Sequence, residues 1–227
     1  MSYDPESKII NSWKKNVDPW IRAVRDHEIE TRQLVTNKAI VDAILYLSPK
    51  SVIDIGCGEG WLVRELVGRG VNTLGIDVIR EFVESAKKEN SGRYRVLNYD
   101  ELSYQTLGER FDMIVCNFSL FGSKSVESVF HSTAEVLNPN GVLVIQTLHP
   151  DNHQGEVSAS EGWVEGSWSG FSREFCDPAP WYYRPLESWI KLFTDSGFEM
   201  PKIIEPANPI TGKPASIIFV GNHVANC

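Results

Sequence analysis

From Gln33 to Leu47 apolar residues return at helical spacing, at Leu34, Val41 and Leu45 and again at Ile40, Ile44 and Leu47, until Ser48-Pro49 stops the run. The rhythm then changes. SVIDIG (51–56), VNTLGID (71–77), RYRVLN (93–98), FDMIVCN (111–117) and VLVIQTL (142–148) are short, apolar and rich in β-branched residues, as strands are. Between them GWLVRELVGRG (60–70), REFVESAKKEN (80–90) and SVESVFHSTAEVL (125–137) carry helical spacing, and NPNG (138–141) reads as a turn. Strands alternating with helices predict an α/β fold, and runs this apolar predict parallel strands covered on both faces.

Two segments fall outside the alternation. Residues 1–32 carry Trp13 and Trp20, punctuated by Pro5 and Pro19, and predict one or two short helices that cap the fold. Residues 151–185 hold Trp163, Trp168, Phe171, Phe175, Trp181, Tyr182 and Tyr183 among glycines, serines and acids. A structureless loop of that length is rare inside a compact domain, so this aromatic-rich insertion is expected to be a lid or a small subdomain. LESWIKLFTDSGF (186–198) resumes as a helix, and FEMPKIIE (198–205) and ASIIFVGNH (215–223) predict two last strands. Their short connection favours a hairpin, which makes one of them antiparallel. The 227 residues suffice for a single well-cored domain, with cap and insertion as embellishments.

Composition narrows the partners. A formal net charge of -8 argues against nucleic acid as the ligand, since a phosphate backbone would favour a basic face. No apolar stretch reaches the ~18 residues needed to span a bilayer and no signal-peptide pattern opens the chain, so the expectation is a cytoplasmic protein. Cys57, Cys116, Cys176 and Cys227 form no C-x-x-C pair and no metal-ligand spacing, and read as reduced thiols.

The candidate chemistry centres on VIDIGCGEG (52–60), where a strand runs into glycines that let backbone approach a ligand closely. Gly56, Gly58 and Gly60 are spaced G-x-G-x-G, unlike the G-x-G-x-x-G of dinucleotide enzymes. Glu59 at the following helix start would oppose a pyrophosphate but tolerate a cationic or zwitterionic ligand. An NAD-type oxidoreductase is therefore kept as an alternative. Asp54 either organises the loop through backbone N–H groups or faces the ligand. Asp77, ending the second strand, can accept both hydroxyls of a ribose. LNYDEL (97–102), after the third strand, sets polar, aromatic and acidic residues where a purine could stack, although Asp100 could equally cap a helix. All sit at the carboxyl ends of strands, where open α/β sheets bind ligands.

Taken in order, VIDIGCGEG, GID (75–77), YD (99–100), FDMIVCNFSL (111–120) and LNPNGVLVIQTLHP (137–150) resemble the motifs of class I S-adenosylmethionine-dependent methyltransferases, in their small-molecule, ubiquinone-biosynthesis-like branch. The resemblance covers residues 30–150 and reaches the closing helix and hairpin. It implies a Rossmann-like, mostly parallel seven-stranded sheet of order 3-2-1-4-5-7-6 with strand 7 antiparallel. It implies that Asp54, Gly56, Cys57, Gly58 and Gly60 lie against the methionine half of S-adenosylmethionine. Asp77 would hold the ribose hydroxyls, Val78 beside it would also contact the cofactor, and Tyr99 and Asp100 would contact the adenine. Asn117 and Phe118 would offer backbone near the methionine amine and the sulfonium. Arg32 matches an arginine that several relatives place near the cofactor carboxylate, a group its paired donors suit. The resemblance implies no metal.

The reaction so implied moves a methyl group to an oxygen, nitrogen or carbon of a small-molecule acceptor and leaves S-adenosylhomocysteine. A methyltransferase acting on RNA or protein is the further alternative. His149, just after the fifth strand, is the candidate general base, with His153 a second choice. Tyr182, Tyr183 and Arg184 could orient the acceptor. Aromatic walls suit a planar or apolar molecule, or a cationic amine through the ring faces. Trp13 and Trp20 are expected to close the other side. A monomer or homodimer is expected.

Overall fold

In the computed structural model, which describes residues 4–150 and 160–224, the alternating pattern becomes a sheet with helices on both faces. The helices are α1 (Pro5–Lys15), α2 (Val17–Arg25), α3 (Asn37–Tyr46), α4 (Trp61–Gly68), α5 (Arg80–Lys87), α6 (Tyr104–Leu107), α7 (Lys124–Val136) and α8 (Leu186–Asp195). Strands β1 (Ser51–Ile55), β2 (Asn72–Asp77), β3 (Arg93–Val96), β4 (Phe111–Asn117) and β5 (Leu137–Thr147) pair in parallel. Within the insertion β6 (Gly162–Val164) and β7 (Trp181–Tyr183) form a separate antiparallel hairpin. Strands β8 (Lys202–Ile204) and β9 (Ile217–Asn222) complete the main sheet, whose order is β3-β2-β1-β4-β5-β9-β8. With the insertion hairpin set aside this is the order 3-2-1-4-5-7-6. The last strand, β9, runs antiparallel to both β5 and β8.

Period-two alternation distributes the core between the two faces. Ile53 and Ile55 of β1 pack with Phe130 of α7 and Phe193 of α8, while Val52 packs with Ile40 and Ile44 of α3 and Leu62 of α4. Each such buried side chain contributes about 1.5–3 kcal/mol. Asp54 shares the parity of Val52, so the strand that builds the core also carries a carboxylate inward.

Two local features depart from the predicted elements. The helix expected from residue 33 opens as a π-turn over Arg32–Thr36 before α3 begins, which sets the direction of Arg32. The NPNG turn exists but lies within β5. Phe111 pairs with Leu137 and Met113 with Val142, so residues 138–141 bulge out, with Asn140 at φ 61° and Asn138 Nδ2 held 2.8 Å from Asp112 Oδ1.

The N-terminal helices lie over the carboxyl ends of the strands. Asp4 caps α1 and Pro5 occupies its first turn, which is why the helix starts there. The Glu6 carboxylate accepts the N–H groups of Ser123 (2.8 Å) and Lys124 (2.9 Å), filling the N-terminus of α7 with the charge it favours. Asn16 is fully buried between α1 and α2. Its Nδ2 donates to Ser12 O and Cys176 O (both 2.8 Å), and its Oδ1 accepts Cys176 N–H (2.9 Å). Lys15–Asp177 and Arg22–Glu174 pair outside it. Cap and insertion are thereby joined into one roof. No helix among the described residues is long and apolar enough to cross a membrane.

Candidate functional site

The glycines after β1 have separate duties. A Cβ on Gly56 would collide with the Ser119 side chain and stand 2.7 Å from the Tyr99 hydroxyl; one on Gly60 would meet the Tyr94 ring at 2.7 Å. Those two are glycine because the protein packs against them. Gly58 has φ +54°, and its nearest neighbour for an added Cβ is Trp20 Nε1 at 3.7 Å. It faces a cavity of about 140 Å³ at the carboxyl ends of the strands.

Most of the sequence-predicted residues meet on this cavity. Gly56, Cys57 and Gly58 form one wall, Asp77 and Val78 the next, and Tyr99, Asn117 and Phe118 a third, with Arg32 also in the lining. Three do not line it. Gly60 packs beneath the loop against Tyr94. Asp54 is buried under the floor. Asp100 is exposed on the single turn Tyr99–Glu101, and it caps no α-helix either, since Ser103 caps α6. Asn98 lines the cavity instead, one position before the tyrosine. The expectation at Asp100 is corrected accordingly: the turn rotates its side chain outward.

The acids differ in how far the fold has already used them. Asp77 Oδ2 accepts Gly58 N–H (2.9 Å) and its Oδ1 accepts Ile79 N–H (2.8 Å), so one carboxylate holds both the glycine loop and the start of α5. Burial pushes its pKa up to about 6 against the pull of those N–H groups. Asp54 Oδ1 is buried without a hydrogen-bond partner, and burial together with the Asp77 charge pushes Asp54 up to about 7. Glu59 is a correction. Its buried carboxylate takes Arg25 Nε at 2.9 Å and Arg64 Nη2 at 2.7 Å, so its charge is spent on two arginines and it neither repels a pyrophosphate nor attracts a cation.

Arg32 is the reverse case. Its Nε and Nη2 are buried and bond to nothing, and its guanidinium lies 5.0 Å from the Trp61 ring centroid and 5.7 Å from that of Trp20. Burial lowers its pKa to about 10, opposed by Glu59, which leaves it charged at neutral pH. Asn117 Oδ1, at the end of β4, is a second buried group without a partner. Phe118 follows at φ +51°, an unfavourable conformation for a bulky residue, held by its N–H to Gln146 O at 2.8 Å.

Trp13, Trp20, Arg32, Phe118 and Phe121 also line a second cavity of about 320 Å³, roofed by Trp168, Phe171 and Trp181 of the insertion. Trp163 is not part of it; that ring pairs with Tyr182 at 5.4 Å on the outer hairpin. His149 is likewise absent from both cavities. Its Nε2 lies 2.7 Å from Glu205 Oε1, which ties β5 to the segment after β8, and the general-base expectation is withdrawn on that ground. Arg184 donates to Gly122 O (2.8 Å) and Ser123 O (2.9 Å) beneath the hairpin, so it anchors the insertion and does not orient an acceptor. His153 lies outside the described residues.

The reading of the sequence missed Asn98, Ser119, Trp61 and Phe82, which all line the first cavity. Ser119, two residues past β4, donates to Ile55 O at 2.6 Å and thereby clips that strand to the glycine loop. No spacing signals such a contact.

A family model described as a methyltransferase domain matches residues 30–202. A ubiquinone biosynthesis O-methyltransferase of Dechloromonas aromatica is 32% identical over 114 residues, 48% of this chain and 49% of that protein. A malonyl-(acyl-carrier protein) O-methyltransferase of Legionella pneumophila is 25% identical over 178 residues, 75% of this chain and 59% of that protein. The matched region thus spans about half to two thirds of such relatives. In structure, the 1,6-didemethyltoxoflavin-N1-methyltransferase of Burkholderia thailandensis, solved with 1,6-didemethyltoxoflavin and S-adenosylhomocysteine, aligns with a TM-score of 0.64 at 16% identity, over 99% of this chain and 92% of that one. A methyltransferase of Methanosarcina mazei aligns at 0.63 and 18% identity, over 83% of this chain and 98% of its own.

Proposed function

Because the chain belongs to the methyltransferase-domain family, we propose that it transfers a methyl group from S-adenosylmethionine to a small-molecule acceptor. The observation that carries this is the set of groups the first cavity leaves unsatisfied. Arg32 with unpaired guanidinium donors, Asn117 with an unpaired oxygen and Asp77 with its carboxylate all line one space beside a glycine without a side chain. S-adenosylmethionine offers a carboxylate, an amine and a ribose diol to such groups, and its sulfonium supplies the electrophilic methyl.

In this reading Arg32 takes the carboxylate through paired N–H donors, with Trp61 and Trp20 keeping water from the guanidinium. Asn117 Oδ1 accepts the amine. Asp77 keeps its two backbone bonds and uses its remaining lone pairs for the diol, since each carboxylate oxygen can accept more than once. Asn98 and Tyr99 border the adenine. The second cavity receives the acceptor, and the roof of α1, α2 and the insertion excludes water from it. Displacement on carbon needs alignment above all, so positioning by these walls is the protein's main contribution. Phe118 lines both cavities and stands at their junction.

Glu59 no longer argues against a dinucleotide, so the alternative is decided by titration. Calorimetry with S-adenosylhomocysteine should give one-site binding that Arg32→Leu weakens by about tenfold or more, as expected for losing a charged hydrogen-bonded partner. Binding of NAD with none of S-adenosylhomocysteine would refute the reading.

A further inference from the structure

The second cavity carries information about the acceptor that neither the family nor the glycine loop supplies. Four of its rings close a circuit: Trp13 to Trp20 at 5.0 Å, Trp20 to Phe171 at 6.3 Å, Phe171 to Trp168 at 5.4 Å, and Trp168 back to Trp13 at 5.5 Å. Two of these rings come from the N-terminal helices and two from the insertion. The seam between cap and insertion is therefore a continuous aromatic wall, fixed from behind by Asn16 and by Trp168 Nε1 donating to Cys176 O at 2.9 Å. Phe118 and Phe121 line the same cavity, and Pro178 and Pro180 add rigid apolar surface. At about 320 Å³ the space is at the small end for ligand sites.

An aromatic wall by itself would also welcome a cation. Here the charge on the cavity decides. Arg32 stands in its lining with Nε and Nη2 lacking any hydrogen-bond partner, and no Asp or Glu lies among the described lining residues. A cation entering would find a guanidinium and no carboxylate among the described lining residues, where water screens charge poorly. A flat ring with a hydrogen-bond-accepting edge meets neither obstacle. It can lie against the wall and turn a ring nitrogen or an oxygen toward a guanidinium edge that the cofactor carboxylate does not occupy. We infer that this cavity is the acceptor site and that it selects planar aromatic or heteroaromatic molecules of one or two fused rings without a positive charge, with Trp168 and Phe171 setting the selectivity. The inference rests on the proposed methyl transfer for the word acceptor, but the selectivity of the cavity can be measured without turnover.

The test uses the protein both free of ligand and loaded with S-adenosylhomocysteine, whose carboxylate shares Arg32, and three probes of matched size: quinoline, N-methylquinolinium and 1-decalone. Affinities are read by calorimetry and by quenching of tryptophan fluorescence. Quinoline should bind at least about tenfold more tightly than the cationic or the non-planar probe, and Trp168→Ala or Phe171→Ala should each weaken it by about tenfold. Neither residue lines the first cavity, so both variants should keep S-adenosylhomocysteine affinity within about twofold, which also certifies their folding. N-methylquinolinium binding as well as quinoline, 1-decalone binding as well, quinoline failing to bind, or quinoline indifferent to both substitutions would each overturn the inference. Failure of S-adenosylhomocysteine alone, with quinoline still bound in a Trp168-dependent way, would sink the cofactor reading and uphold the selectivity of the cavity.

Discussion

Gly58→Ala separates a ligand-facing glycine from the packing glycines beside it. The added methyl would have Trp20 Nε1 at 3.7 Å as its nearest neighbour, ordinary contact, so no collision opposes folding. The cost to the fold is the backbone: φ +54° is left-handed, which disfavours a Cβ by about 1–2 kcal/mol. For a chain of this length that lowers the melting temperature by about 2–8 °C. The methyl projects into the first cavity, where the ligand must approach the backbone. An overpacked site costs about 1–3 kcal/mol, or roughly 5- to 150-fold in S-adenosylhomocysteine affinity. Gly56→Ala gives the contrast, since its Cβ would be driven into Ser119 and Tyr99 and the loss should appear in folding yield and melting first. Valine at position 58 would be a poorer probe, because a β-branched residue adds backbone strain to the steric test. Calorimetry and thermal melts on both variants decide. Gly58→Ala with unchanged affinity, or with a melting loss as large as that of Gly56→Ala, would refute the assignment of Gly58 to the ligand.

Three further outcomes are expected. Asp77 and Asp54 have raised pKa values, about 6 and about 7, so the folded chain binds more protons than the unfolded chain from about pH 4 to about pH 7; ligand-free stability should fall as pH rises through that window, and S-adenosylhomocysteine affinity, which needs ionised Asp77, should rise. Thermal melts and calorimetry over this range test it, and an affinity that fell with rising pH would contradict it. His149→Gln should leave the pH profile of kcat intact once an acceptor is in hand, because His149 answers to Glu205; loss of a titrating limb would restore it as a base. Asn16→Ala strands the Cys176 N–H at the seam, leaving the Cys176 carbonyl only Trp168 Nε1, and should cost about 1–3 kcal/mol, with faster proteolysis of the insertion; an unchanged melting temperature would show that Asn16 does not hold the roof.

The sheet was legible because its information is local and repeated. Five β-branched runs separated by helical ones leave few arrangements, and a hairpin-length connection before the last strand requires the reversal at β9. The glycine loop, Asp77, Tyr99 and Asn117 were legible for a related reason: strand ends in such a sheet converge on one edge wherever the helices pack. What escaped is what the third dimension alone decides. The single 3-10 turn at residues 99–101 directs Asp100 outward and leaves Asn98 in the lining, a rotation of about 120° per residue that spacing cannot resolve. His149 looked like a base because it follows a strand end. Its partner, Glu205, belongs to a segment far along the chain.

The same reasoning governs the charges, and there the sequence misleads most. Asp54, Glu59, Asp77 and Asp100 together suggest an acidic cradle for a positively charged ligand. In the fold Glu59 is consumed by Arg25 and Arg64, Asp100 is in solvent, and Asp54 is beneath the floor. Asp77 alone among these acids meets the cavity with its charge unspent on a cation, and the free charge opposite in sign is Arg32, at a turn whose π-helical geometry no residue pattern announces. A buried ion pair presents little field to a ligand, whereas an unpaired buried charge presents nearly all of it. The electrostatics of this site are therefore those of one guanidinium, the Asp77 carboxylate and, at the first cavity's rim, a Glu6 carboxylate already engaged by the N-terminus of α7, set by pairing and not by composition, and a net charge of -8 is no guide to what enters it. The Arg32 and Asp77 charges suit a zwitterionic ligand with a diol in the first cavity, and the guanidinium alone, shared with the second, sets the terms on which anything else can bind.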